Sequence, residues 1–286
     1  MPKRACGFAI LITLLAVSCR SGRTIGSQAV LRVAMIPSTD PGKIVRESQP
    51  LVNYLEKKTG LRVELVVPTS YAAVVEAIAN DRVDTAYLGG FTFVQASQRA
   101  GVRPLVQRER DQNFYSVFIT QPGSGINSLA DLKGHSFAFG DVNSTSGHLM
   151  PAYYMREAGI DPGALAKTLY TGGHDATALA VANAKVDAGA MDELVYTLMM
   201  KTGKITPTQV KIFYTTPAFF DYVWVARKNL DPKLRGAFAD AFLKLDSSNT
   251  EGKVLLGLLN ANKYVVAHDA SYDKLRQAAQ AEGLLH

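Results

Sequence analysis

From residue 30 onward, short apolar strand segments alternate with helical segments, and the alternation runs twice along the chain. The first series reads strand 30–36, helix 44–58, strand 61–67, helix 71–80, strand 83–87, helix 91–99 and strand 102–106. The second reads strand 136–139, helix 146–157, strand 167–170, helix 175–184, strand 188–190, helix 193–201 and strand 210–214. Alternation of this kind demands a parallel sheet covered on both faces by helices, because a parallel neighbour is reached only through a crossover. Two series therefore predict two α/β lobes. The β-rich segments 116–120 and 222–226 stand where the chain leaves the first series and returns to it, and are read as crossing strands. After Arg227 the text turns helical over 232–245, 252–260 and 271–282, with no strong strand signal. The predicted division is a discontinuous lobe I, 28–115 with 227–286, and a lobe II of 116–226 that includes the crossing strands.

A chain of 286 residues, 47% hydrophobic and 20% charged, has enough apolar material for two cores. Its formal charge is +6, but Lys and Arg are interleaved with Asp and Glu and form no run of five. That pattern excludes nucleic acid or a polybasic membrane patch as the main partner and leaves room for a small anion. The first residues form a leader: a basic start at Lys3 and Arg4, an apolar stretch over 5–17, then Ser18 and Cys19. The stretch is short for a bilayer span and follows positive charge, so 1–19 is read as a signal peptide. Leu15-Ala16-Val17-Ser18-Cys19 resembles a bacterial lipobox, which predicts lipidation of Cys19 and a protein of the periplasm or cell envelope, touching the membrane through its lipid anchor only. Both cysteines, Cys6 and Cys19, fall in the leader, so no disulfide, zinc cluster or thiol nucleophile is expected beyond it.

Open α/β sheets bind ligands beyond the C-terminal ends of their strands, so chemistry is expected in the strand-to-helix loops. The most informative is Asp141-Val142-Asn143-Ser144-Thr145-Ser146-Gly147-His148. Three consecutive hydroxyl residues at a helix start exceed what one cap needs, and with free N–H groups they suit a tetrahedral oxyanion. In Thr171-Gly172-Gly173-His174-Asp175, His174 can donate a ring N–H, although a lone histidine is equally a structural residue. Tyr71 opens a helix and Tyr87 closes a strand; either can serve the core. Asp221 lies in apolar company between Phe220 and Tyr222, where a carboxylate must pair or face a cleft.

These elements, with Ile36-Pro37-Ser38, Tyr71-Ala72-Ala73-Val74, Asp84 to Gly90, Asn143 to Gly147, Gly173-His174-Asp175 and Val186 to Gly189, resemble the phosphate, phosphite and phosphonate-binding solute receptors of ABC transporters, colinearly over about residues 30–229. The resemblance implies a type II periplasmic binding fold of two α/β lobes joined by two crossing strands. It further implies an anion held by Ser144, Thr145 and Ser146, with Tyr71, Tyr87 and His174 as partners and Asp221 as the acidic residue that meets an amino group on the ligand. Many relatives carry Gly-Pro where this chain has Gly89-Gly90, and Gln107-Arg108-Glu109-Arg110-Asp111 matches no common element of the pattern.

The expected function is an extracytoplasmic receptor for a small tetrahedral oxyanion, monomeric, without metal or cofactor, feeding an ABC permease. The alternative is a periplasmic sensor of arsenic-type oxyanions feeding a histidine kinase. An enzyme such as a secreted phosphatase stands further off: the five histidines show no metal-ligand spacing, and Ser144, Ser146 and His148, adjacent at a helix start, diverge around the helix.

Overall fold

The computed structural model describes Met1 and residues 29–285; the signal segment and Cys19 otherwise lie outside the described residues. Strand β1 (Val30–Met35) leads to helices α1 (Pro41–Glu47) and α2 (Gln49–Thr59), then β2 (Arg62–Val66), α3 (Tyr71–Ala79), β3 (Thr85–Leu88), α4 (Gly90–Ala100) and β4 (Arg103–Arg108). The helix predicted over 44–58 is thus two helices meeting at Ser48. Pro50 has no N–H to give to Arg46 and its ring crowds that carbonyl, so one continuous helix cannot pass.

The second unit begins at β5 (Ser116–Thr120) and continues through β6 (Ser136–Phe139), α5 (Met150–Glu157), β7 (Lys167–Tyr170), α6 (His174–Ala182), β8 (Ala188–Asp192), α7 (Glu193–Lys201) and β9 (Lys211–Thr215). The chain then returns through β10 (Val223–Ala226), α8 (Pro232–Leu243), α9 (Thr250–Leu258), β11 (Tyr264–Val266) and α10 (Asp273–Ala281). β11 corrects the expectation of no strand after Arg227. It is a three-residue edge strand antiparallel to β4, too short to display a period of two.

Two sheets result, ordered β11-β4-β10-β3-β1-β2 and β7-β6-β8-β5-β9. Neither is wholly parallel. β10 runs antiparallel to β3 and β4, and β5 runs antiparallel to β8 and β9. The two segments read as crossing strands therefore each belong to one sheet: β5 to the second, and β10, counted with lobe II from the sequence, to the first. The crossings themselves are the stretches 109–115 and 216–222, tied together by the Phe114–Phe219 bridge, with hydrogen bonds of 2.9 and 3.0 Å. β5 and β10 are buried at every residue because each lies inside its sheet with both faces covered, which is why β10 and the centre of β5 read as apolar runs.

Helices α2 and α8 cover one face of the first sheet around Trp224, Phe238 and Phe242, while α3, α4 and α10 cover the other. The cluster on that second face also takes in Leu149, Met150 and Tyr154 from the second unit, so the two units share packing beside the crossings.

Candidate functional site

Two helix starts meet across the cleft between the sheets. One is Gly90, the first residue of α4; the other is the turn at 144–149 that precedes α5. The helix predicted from Ser146 is regular only from Met150, because residues 145–149 form a wider turn in which Leu149 N–H reaches back five residues to the Ser144 carbonyl at 3.0 Å. Ser144 Oγ caps it by accepting the Gly147 N–H at 3.0 Å. Gly147 is required by close approach: a Cβ there would stand 2.9 Å from Ser144 Oγ, 3.0 Å from the His174 ring and 3.2 Å from Gly140 Cα. The turn thus brings its hydroxyls, its N–H groups and His174 together.

Ser144, Thr145, Ser146, Tyr71, His174 and Asp221 are all at most 2% exposed. Thr145 Oγ1 accepts the Phe91 N–H at 3.0 Å, so a hydroxyl of the second unit caps the first turn of α4 in the first. Asp221 Oδ1 accepts the Gly90 N–H at 2.8 Å. A proline at this position would have no such donor. Burial pushes the Asp221 carboxyl up to about 7 against the pull of the Gly90 N–H and the Thr145 hydroxyl, with Asp192 and Asp111 adding to the rise. Burial, then Asp141 and Asp221, hold the Tyr71 phenol well above its usual range, so it remains a donor, with the Ser144 hydroxyl beside it.

His174 opens α6, where its N–H is taken by the Ser38 carbonyl at 3.0 Å. Its Nδ1 accepts the Asp192 N–H at 3.3 Å, and burial lowers its pKa, so the ring is neutral with its proton on Nε2. That Nε2 and Asp221 Oδ2 are buried and find no hydrogen-bond partner among the described residues. One is a donor. The other, close to half-protonated at neutral pH, is either donor or acceptor.

Further hydrogen bonds close the cleft: Gln95 Nε2 to Asn143 Oδ1 at 2.9 Å, Tyr71 N–H to Asp141 at 3.4 Å, and Tyr222 Oη to Asp192 Oδ2 at 2.9 Å. Tyr87 lies one layer out. It stacks on Tyr222 at 5.3 Å and lines an open chamber of about 140 Å³ with Ser38, Arg108, Asp192 and Asn260. Asp192 and Tyr222 escaped the sequence reading. Asp192 stands before a helix and also performs the ordinary N-cap task, accepting from Leu194 and Val195, so its second role has no local signature. His148 does not serve the hydroxyls, since its Nδ1 meets the Val142 carbonyl at 2.7 Å and its Nε2 the Tyr170 hydroxyl at 3.2 Å.

The sequence profile of a family described as ABC transporter, phosphonate, periplasmic substrate-binding protein matches residues 33–272. A probable ABC transporter phosphite-binding protein, PhnD1 of Prochlorococcus marinus (strain MIT 9301), is 28% identical over 92% of this chain and 93% of its own. A phosphate-import protein, PhnD of Mycolicibacterium smegmatis, is 30% identical over 96% of this chain and 94% of its own. The crystal structure of PhnD1 in complex with methylphosphonate superposes with a TM-score of 0.86, covering 90% of this chain and 99% of that one. A binding component of an ABC phosphonate transporter from Pseudomonas aeruginosa gives 0.82 at 27% identity, over 90% of this chain and 87% of that one. With the profile spanning both sheets and every element that builds the cleft, the chain belongs to the periplasmic phosphonate-type substrate-binding proteins of ABC transporters.

Proposed function

We propose that this protein closes its two α/β units around one small tetrahedral oxyanion, a phosphonate, phosphite or phosphate, and presents it to an ABC permease. One observation carries the proposal: the His174 Nε2–H and Asp221 Oδ2 are buried and find no hydrogen-bond partner among the described residues, close to Tyr71, Ser144 and Thr145. A buried polar group without a partner costs about 1–3 kcal/mol. A ligand with acceptor oxygens and one proton relieves both at once, with Tyr71 and His174 donating to its oxygens and the shared proton lying between it and Asp221. Tyr87 then bounds the side on which a substituent leaves, rather than touching the oxyanion.

The same groups discriminate. Sulfate offers acceptors and no proton, so it is held only when Asp221 supplies one. With the carboxyl near 7, sulfate affinity is full below that pH and weakens about tenfold for each pH unit above it. The family to which the chain belongs consists of binding components, and the similar proteins described as binding phosphite, phosphate or methylphosphonate support the ligand class. Lipid anchoring at Cys19 and a monomeric state complete the proposal.

The test is calorimetry at pH 8 with methylphosphonate, phosphite, phosphate and sulfate, alongside small-angle scattering. Tight binding of the phosphorus oxyanions with compaction, and sulfate binding weaker than theirs, is expected. Absence of binding, or sulfate binding as tight as the others at pH 8, would overturn it.

A further inference from the structure

The charged stretch 107–111 resolves into a buried ion pair at the first crossing. Arg108 Nε and Nη2 donate to Asp111 Oδ2 and Oδ1 at 2.8 and 2.6 Å, the Arg108 N–H adds a third bond at 3.1 Å, and Nη1 reaches the Leu259 carbonyl at 3.3 Å. Arg108 is 6% exposed and Asp111 not at all. Burial opposes its charge, but Asp111 beside it holds the guanidinium well above its usual range.

Two contacts lead from this pair to the site. The Asp111 carbonyl accepts the Asp221 N–H at 2.9 Å, beside the Phe114–Phe219 bridge that zips the crossings together. The Arg108 guanidinium lies 5.2 Å from the Tyr222 ring centroid, and that tyrosine bonds Asp192 across the cleft. We propose that Arg108 and Asp111 are positioning residues of the anion site: the pair rigidifies the first crossing so that Asp221 and Tyr222, carried by the second, meet the ligand in one geometry. The proposal rests on the oxyanion function argued above. A buried ion pair is a poor source of stability, since an apolar pair of similar volume is commonly neutral or stabilising in its place. What it supplies is a directional, bidentate constraint at a point where the chain must bend between units.

Asp221 is bonded by the Gly90 N–H and the Thr145 hydroxyl, feels the Asp111 and Asp192 carboxylates, and in turn raises the phenols of Tyr71, Tyr87, Tyr222 and Tyr272. Neutralising Asp111 removes one of the two carboxylates that raise it. The experiment uses the double variant Arg108→Met/Asp111→Leu and the single variant Asp111→Asn, with methylphosphonate and sulfate as probes. The double variant is expected to melt close to the wild-type temperature, the relief of a buried ion pair set against the unpaired Arg108 N–H and Leu259 carbonyl, while its methylphosphonate Kd rises tenfold or more. Asp111→Asn is expected to move the pH above which sulfate binding weakens downward, which a merely structural role would leave in place. If the wild type binds methylphosphonate and the double variant binds it within threefold, or the sulfate midpoint of Asp111→Asn is unmoved, the positioning role is overturned and the oxyanion function stands. If the wild type binds neither anion at any pH, both fall.

Discussion

Thr145→Val is the substitution that most directly tests closure by shared hydrogen bonds. Valine keeps the shape and β-branching of threonine and removes one oxygen. That oxygen accepts the Phe91 N–H at 3.0 Å, with Phe91 1% and Thr145 2% exposed, so in the closed protein the N–H is left buried and unpaired. Such a group costs about 1–3 kcal/mol, and the hydroxyl's lost hydrogen bond to the Asp221 carboxyl costs about 1.5–3 kcal/mol more. In the open protein Phe91 N–H is free to meet water, so both penalties fall on binding rather than on folding. Taking a total near the lower end, about 3 kcal/mol, and about 1.4 kcal/mol per factor of ten, the Kd for methylphosphonate rises roughly a hundredfold. Thr145→Ser, which keeps the oxygen, stays within severalfold of wild type. The assay is isothermal calorimetry at pH 8, with thermal melting as the folding control. A Kd for Thr145→Val within threefold of wild type would refute the idea that this hydroxyl links the two units around the ligand.

Gly147→Ala places a methyl against Ser144 Oγ, the His174 ring and the Gly140 backbone, so methylphosphonate affinity measured by calorimetry falls at least tenfold. Asp221 holds its proton more tightly folded, near 7, than unfolded, from 3.8. At this group the native state therefore binds more protons between these values, so Asp221 contributes a loss of stability as pH rises through that window and none above it. Asp221→Asn removes that slope, which urea unfolding at a series of pH values would show; an unchanged slope counts against the buried carboxyl as its source. Cys19→Ala moves the protein from the membrane to the soluble fraction of a bacterial host and leaves methylphosphonate affinity as it was.

Much of this architecture is legible in the sequence because its signals are local. A strand of apolar residues, a proline or glycine stop and a capped helix each draw on neighbours a few positions away, and two series of them require two α/β units. Ser144, Thr145 and Ser146 stand out for the same reason: one cap needs one hydroxyl, and three were present. The short edge strand β11 and the break at Ser48 were missed, one because three residues carry no period, the other because the apolar spacing runs through the proline.

What tertiary structure alone decided is the protonation and partnership of the site. His174 is a donor through Nε2 because Asp192, eighteen residues on, spends its Nδ1. Asp221 is poised near 7 because the fold buries it, with Asp192 and Asp111 adding to the rise, against the pull of the Gly90 N–H from 131 residues away. Tyr71 at a helix start and Tyr87 at a strand end look alike in sequence, yet only Tyr71 lies beside the Ser144 hydroxyl, while Tyr87 stacks on Tyr222. Capping and periodicity are contests among adjacent residues, so the sequence shows them. Desolvation and the spending of a lone pair depend on which distant segments share one small volume, and only the folded chain brings those together.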